Sequence, residues 1–149
     1  MPFLSRRPIE VSTLLSEVAS GARGGTACFV GTVRNHQGGR AVVRLEYTAY
    51  EAMAEAECAL IVAEAAERWP AAVALEHRLG TLVVGDVAVA VVAAASHRSE
   101  AFEACRYVIE EVKRRVPVWK KEFYADGTIG WVEPGQPEPA ASEVAIEAR

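Results

Sequence analysis

The sequence predicts an α+β protein in which helices pack on a largely antiparallel sheet. Two long segments, at 51–69 and 100–115, repeat apolar residues every three or four positions, as amphipathic helices do. Short segments rich in Val, Thr and aromatic residues stand in pairs around these helices. A few residues that include glycine separate the members of each pair, so neighbouring strands are expected to run antiparallel.

The first half of the chain is predicted to contain a helix, two strands and a second helix. The helix at 8–19 has an apolar side, and three glycines follow it closely. The strands at 26–34 and 41–50 flank a loop with two consecutive glycines, so we expect them to pair as a hairpin. The helix at 51–69 stops before Pro70, because the residue before a proline disfavours the helical conformation.

The second half is predicted to repeat two strands, a helix and two strands. The strands at 72–79 and 86–95 come first, and the second is almost wholly apolar, which indicates a central strand covered on both faces. The helix at 100–115 starts with acidic and ends with basic residues, which complements the helix dipole. A hairpin at 118–124 and 128–133 follows, joined by an Ala-Asp-Gly turn.

These elements are predicted to form a single domain over residues 1–133, followed by a weakly ordered tail at 134–149 that contains three prolines. The 149 residues are enough to bury a core without disulfides. No apolar run approaches the roughly 18 residues that cross a bilayer. The N-terminus also lacks the pattern of a secretory signal. We therefore expect a cytoplasmic protein without a membrane partner.

Three cysteines, Cys28, Cys58 and Cys105, lie far apart among apolar neighbours. None has CxxC spacing, so neither a zinc site nor a thioredoxin-like motif is indicated. Free cysteines are commonly small core residues, and we predict that all three are buried. The three histidines are separated and have no clustered carboxylates, so the sequence predicts no metal site.

Charge is unevenly distributed along the chain. The net charge of −4 disfavours general nucleic-acid binding. Five basic residues nevertheless fall within 113–121, a segment that contains no acid. A basic island on an acidic protein predicts a localised site for an anionic small molecule. These residues are Lys113, Arg114, Arg115, Lys120 and Lys121.

Two places in this island can contribute lysines to a site. Lys113 lies at the edge of the apolar face of its helix, where an amine can enter a cleft as a nucleophile or proton shuttle. It can equally be a lysine that only complements the helix dipole. Lys120 and Lys121 are neighbours on a strand and point to opposite faces, so at most one enters a given pocket. Glu122 can orient a lysine, and the alternative is a charged edge strand that resists aggregation.

Two further places suit anion binding. Arg34 stands where a strand enters the glycine loop and can hold a phosphate or carboxylate through paired N–H groups. His97 and Arg98 precede a helix N-terminus, whose N–H groups favour anions. The alternatives are a solvated hairpin end and a helix cap with solvated side chains. We interpret His36 as an ordinary loop histidine and His77 as a structural residue within a strand.

Six motifs occur in the order of a known family, and together they cover roughly residues 27–133. They are Phe29-Val-Gly-Thr-Val-Arg-Asn-His36, Leu45-Glu-Tyr47, His77-Arg-Leu-Gly80, Gly85-Asp86, Ser96-His-Arg-Ser99 followed by Ala101-Phe102, and Pro117-Val-Trp-Lys-Lys-Glu122. As an ordered set they resemble the large, catalytic subunits of molybdopterin synthases, the MoaE family.

The resemblance implies a fold and a reaction. The fold is an α/β hammerhead with an added small antiparallel sheet. The reaction transfers sulfur to cyclic pyranopterin monophosphate and forms molybdopterin, a dithiolene, in molybdenum cofactor biosynthesis. The donor is the C-terminal thiocarboxylate on the Gly-Gly end of a small ubiquitin-like subunit. Two large subunits form a central homodimer within a heterotetramer, and no cofactor is implied.

The resemblance also implies roles for individual residues. It makes Lys113 and Lys120 catalytic. The family often has a basic residue where this chain has Thr32, so a backbone role is expected there. The implied substrate-binding residues are Thr32, Val33, Arg34, His97, Arg98, Lys120, Lys121 and Glu122. The alternative function is a non-catalytic module that binds a phosphorylated metabolite, which would need Arg34 and Arg98 but not both lysines.

Overall fold

The computed structural model describes residues 2–135, and this range contains three helices and nine strands. The helices are α1 (Val11–Val18), α2 (Glu51–Arg68) and α3 (Arg98–Arg115). The strands are β1 (Leu4–Ser5), β2 (Gly25–Thr32), β3 (His36–Gln37), β4 (Arg40–Ala49), β5 (Ala71–Arg78), β6 (Gly80–Val83), β7 (Val87–Ala95), β8 (Val118–Tyr124) and β9 (Ile129–Val132). The α+β class is confirmed. Apart from two residues, the predicted tail lies outside the described range, and the domain division stays a prediction.

The first sheet has the strand order β1-β5-β7-β2. β7 lies between β5 and β2 and is antiparallel to both, whereas β1, which the sequence did not indicate, runs parallel to β5. All residues of β7 after Val87 are buried. One face of the strand packs on α1, and the other face joins the main core with α2 and α3. The prediction of a central strand covered on both faces is confirmed.

The predicted hairpin of residues 26–34 with 41–50 is wrong. β2 pairs with β7, and the chain leaves the first sheet after Thr32, where the N–H of Val33 donates to the carbonyl of Asp86 at 2.9 Å. Gly38 and Gly39 have positive φ angles and do form a tight turn, but the turn joins β4 to the two-residue β3. Glycines mark the turn, yet the partner of β2 is chosen by long-range packing.

The second sheet is antiparallel, with β6 and β8 both pairing along β4 and β9 pairing with β8. It matches the added small sheet that the family resemblance implies, and the predicted β8–β9 hairpin is confirmed. Its inner face carries Leu45 and Tyr47 from β4 together with Lys120, Glu122 and Tyr124 from β8, all buried. Charged side chains are therefore enclosed beside apolar ones on a single sheet face.

The long helices bury small residues at helical spacing, and α2 contributes Ala54, Cys58, Ile61 and Ala65 to the core. α3 begins at Arg98 rather than at residue 100, with His97 at the N-cap position. Within residues 2–135, no helix combines the length and apolar character required to cross a membrane.

Two of the three cysteines are buried as predicted, and the third is not. Cys58 and Cys105 lie in the main core, whereas Cys28 is exposed. Cys28 lies on β2, at the edge of the first sheet, beside Val92 of β7. Val92 is covered by α1, which packs on β5 and β7. The apolar neighbours of Cys28 in sequence therefore do not predict its exposure, because β2 is an edge strand.

Candidate active site

A cavity of about 690 Å³ lies between the end of β2, the inner face of the second sheet and the last turn of α3. Small-molecule sites commonly enclose roughly 300–1,000 Å³, so this cavity can hold a metabolite. Its wall is partly apolar, with valines from several elements. Its polar side chains include Arg34, Tyr47, His77, Lys113, Lys120 and Glu122.

The end of β2 brings three predicted residues, Thr32, Val33 and Arg34, to the cavity wall. A register irregularity between Gly31 and Thr32 redirects the strand where the cavity begins. Val33 is buried, and backbone hydrogen bonds hold it against the turn before β7. The guanidinium of Arg34 donates to the side-chain oxygen of Gln37, which keeps the arginine beside the cavity.

Lys113 lines the cavity from the last turn of α3 and is exposed. The rest of the basic island is divided among different surroundings. Arg115 forms ion pairs with Glu57 and Glu64 of α2 and with Glu111, and so ties the two long helices together. Its hydrogen bond to Glu64, with that of Tyr107, lowers the pKa of Glu64 to about 2. Arg115 is therefore a structural residue, in keeping with the interpretation from sequence that it complements the helix dipole rather than the anion site.

The adjacent lysines of β8 point to opposite faces, as predicted. Lys120 and Glu122 line the cavity and are only 9% and 3% exposed, with Nζ of the lysine 3.9 Å from Oε1 of the glutamate. Lys121 lies on the other face, where its Nζ stands over the rings of Phe123 and Trp131 at 5.1 and 5.2 Å from their centroids. Of the two, the structure places Lys120 in the cavity, and Lys121 outside it.

His97 and Arg98 do not line this cavity. They stand at the opposite end of α3 from Lys113, fifteen residues earlier, which corresponds to about 22 Å at the usual rise per residue. Gly25 packs against this end, since a Cβ there would come within 3.0 Å of the amide nitrogen of Arg98. Within one chain, the predicted anion-binding pair therefore lies far from Lys113, at the other end of the same helix.

The cavity also contains His77 and Tyr47, which sequence reasoning did not select. The imidazole of His77 contacts the Tyr47 ring edge-on, with the ring centroids 5.1 Å apart. Burial, together with the charge of Lys113, lowers the pKa of His77 to about 4. Strand alternation is the sequence signal that could have found His77. Because His77 lies two residues after the apolar Leu75, both side chains are expected on the same face of the strand, and both are buried.

The assembled site has two arginines, Arg34 and Arg114, and two lysines around a partly apolar chamber, with a carboxylate beside the buried lysine. Arg114 forms an ion pair with Glu111. Such an arrangement can bind an anionic group and stabilise negative charge that develops during a reaction. No cysteine lines the cavity among residues 2–135, so the site contains no thiol that could attack a ligand.

Comparisons with known proteins agree on one family. A family model described as "MoaE protein" matches residues 4–115. The molybdopterin synthase catalytic subunit of Halalkalibacterium halodurans is 42% identical over 130 residues, which cover 87% of this chain and 83% of that protein. The subunit of that name from Bacillus subtilis is 42% identical over 125 residues, covering 83% and 80%. The crystal structure of molybdopterin synthase from Staphylococcus aureus superposes with a TM-score of 0.84 at 34% identity, covering 88% of this chain and 96% of that chain.

Proposed function

We propose, from the premise that the chain belongs to the MoaE family, that it is the catalytic subunit of a molybdopterin synthase. In this function it transfers sulfur from the C-terminal thiocarboxylate of a small ubiquitin-like subunit to cyclic pyranopterin monophosphate. The observation that carries the proposal is the cavity that brings together Arg34 from the loop after β2, Lys113 from α3 and Lys120 from β8.

The charges of the cavity suit both reactants. The pterin substrate carries a phosphate and the donor carries a thiocarboxylate, so both bring negative charge to the site. Arg34 can hold an anionic group with paired N–H donors, which a lysine cannot do. The two lysines remain to meet the second anion, which explains why a module that only binds a metabolite would not need both of them.

The two lysines differ in their exposure, which suggests different tasks. Lys113 is exposed on the last turn of α3, so a peptide that arrives from solvent meets it first. Lys120 is buried beside Glu122 and is held in place by this neighbour. We assign to Lys113 the neutralisation of the incoming C-terminus. We assign to Lys120 the stabilisation of the oxyanion that forms when water adds to the acyl carbonyl of the sulfur-linked intermediate. Cleavage of the acyl–sulfur bond then leaves the sulfur on the pterin and a carboxylate on the small subunit.

The sulfur is expected to come from the partner subunit rather than from this chain. Burial raises the pKa of Cys58 to about 12 and that of Cys105 to about 11, so neither is a thiolate at neutral pH. Cys28 is exposed but does not line the cavity. A slender Gly-Gly C-terminus can reach a narrow site because glycine has no side chain to obstruct it.

His97 and Arg98 fit the proposal only if a second copy of the chain supplies them. About 22 Å of helix separates them from Lys113 within one chain. A two-fold homodimer would bring the same surfaces of two copies together and can place this pair at the neighbour's cavity. We therefore propose that the active unit is a homodimer. The unpaired cysteines are in keeping with a reducing compartment such as the cytoplasm.

The function is tested by reconstitution with the purified small subunit in its thiocarboxylate and carboxylate forms. Lys113→Ala and Lys120→Ala should each reduce molybdopterin formation about 10²- to 10³-fold, as loss of an oxyanion-stabilising group does. Lys121→Ala is the matched control, because this neighbouring lysine lies on the other sheet face; its activity should stay within about twofold of the wild type. Circular dichroism and thermal melting would verify that each variant is folded.

Two results would contradict the proposal. One is product formation with the carboxylate form of the small subunit in the absence of added sulfide. The other is near-normal turnover by both lysine variants, which would favour a metabolite-binding module instead. A large loss in Lys121→Ala alone would show that the catalytic surface is the outer face of the sheet.

A further inference from the structure

His77 has a ring nitrogen without a hydrogen-bond partner among residues 2–135, on a side chain that lines the cavity. The residue is only 5% exposed. Its Nδ1 lies 2.9 Å from the carbonyl oxygen of Arg78. Because a carbonyl only accepts hydrogen bonds, Nδ1 carries the hydrogen of the neutral ring and Nε2 carries a lone pair.

The imidazole is neutral under physiological conditions. Burial is the main reason that the pKa of His77 falls to about 4, and the nearby charge of Lys113 lowers it further. Nε2 is therefore a hydrogen-bond acceptor and not a cationic donor. In this respect it differs from the cationic groups of the same cavity, which only donate: Arg34, Lys113, Arg114 and Lys120.

Two contacts orient this acceptor before any ligand binds. The Arg78 carbonyl holds one edge of the ring, and Tyr47 packs against it at an interplanar angle of 82°. Tyr47 itself lies directly across from Lys120 on the neighbouring strand β8. The imidazole is thus locked in the cavity wall between the neighbourhoods of Lys113 and Lys120.

We propose that Nε2 of His77 accepts a hydrogen bond from an N–H or O–H group on the ring system of the small-molecule substrate. The inference rests on the proposed function, in which the substrate combines a pterin rich in N–H donors with a phosphate. A fully ionised phosphate ester has no hydrogen to donate, so it binds the cationic groups and not His77. His77 thereby recognises the ring system of the substrate and fixes its orientation relative to the two lysines.

The test compares two variants that each keep one half of the histidine. In His77→Asn the amide can still donate to the Arg78 carbonyl, but nothing replaces Nε2. In His77→Gln the longer side chain can place its amide oxygen near the position of Nε2. Calorimetry would measure the affinity of each for cyclic pyranopterin monophosphate and, as an anion without hydrogen, for sulfate.

We expect His77→Asn to weaken pterin binding about tenfold, as the loss of one neutral hydrogen bond does, while sulfate binding stays unchanged. His77→Gln should recover pterin binding to within about threefold of the wild type. Equal weakening of both ligands in both variants, or no weakening in either, would overturn the inference. This inference alone fails if the wild type makes molybdopterin and His77→Asn binds the pterin with normal affinity. The proposed function fails as well if the wild type does not bind the pterin.

A second measurement needs no folded variant. In wild-type protein labelled with ¹⁵N-histidine, the Nε2 resonance of His77 should show an unprotonated nitrogen. It should shift when cyclic pyranopterin monophosphate is added and remain in place when sulfate is added. A protonated Nε2, or a resonance that responds equally to both ligands, would overturn the assignment.

Discussion

Acidification from pH 7 to 5 should destabilise the protein through His77. The pKa of His77 is about 4 in the folded chain against 6.5 for an unperturbed histidine, mainly because burial penalises the charged ring. Between these two values the unfolded chain binds a proton that the folded chain does not. The contribution of His77 to the free energy of unfolding is therefore fully present above about pH 6.5 and is lost as the pH falls towards 4.

The size of this effect follows from the two pKa values. At about 1.36 kcal/mol per pKa unit, the full loss would be about 3 kcal/mol. Most of it, about 2 kcal/mol, falls between pH 7 and pH 5. The pKa of Glu64 is about 2, so its loss of charge belongs to a lower pH range. Between pH 7 and 5, the contribution of His77 is therefore obtained as the difference between the wild type and a variant that lacks this histidine.

The assay is urea unfolding at a series of pH values and at fixed protein concentration, for the wild type and for His77→Asn. Asparagine does not titrate, so the free energy of unfolding of the variant should lose about 2 kcal/mol less than that of the wild type between pH 7 and 5. Contributions of the other histidines are common to both proteins and cancel. Parallel pH profiles would refute the claim that His77 is buried in its neutral form.

Two further predictions concern the assembly and the source of sulfur. If the neighbouring subunit supplies Arg98, the Lys113→Ala protein and the Arg98→Ala protein should each be inactive alone. After equal mixing and subunit exchange, half of the dimers contain one subunit of each kind and therefore one intact site. The mixture should then recover about one quarter of the wild-type activity. No recovery on mixing, with dimer exchange verified by mass spectrometry, would place both residues in one chain's site. Cys28→Ser should change neither the melting temperature nor sulfur transfer, because this thiol is exposed and outside the cavity. Loss of activity in a folded Cys28→Ser protein would instead indicate a sulfur relay within this chain.

Several features of the site could be predicted from short stretches of sequence. The alternation of a strand placed Lys120 and Lys121 on opposite faces, and the structure confirms this. The almost wholly apolar segment at 86–95 indicated a strand covered on both sides, which β7 is. These predictions succeed because helix and strand periods are local properties: a few consecutive residues determine which face each side chain occupies.

The motifs identified the family before the geometry was known, but they did not show which residues meet. His97 and Arg98 resemble the substrate-binding pair of the family, yet in one chain they lie at the end of α3 remote from Lys113. A motif records that residues belong to the same function. It does not tell whether they come together within one chain or across two.

Tertiary structure alone decided the pairing of β2, the exposure of Cys28 and the entry of His77 into the cavity. Residues 26–34 could form a hairpin with 41–50 as far as their own composition shows, but β2 instead pairs with β7. That choice makes β2 an edge strand and leaves Cys28 exposed. The partner of a strand depends on the total apolar area that the whole chain can bury, and no local pattern contains that quantity. Sequence therefore determined the elements and the faces of their side chains, whereas the fold determined which of those faces enclose the site.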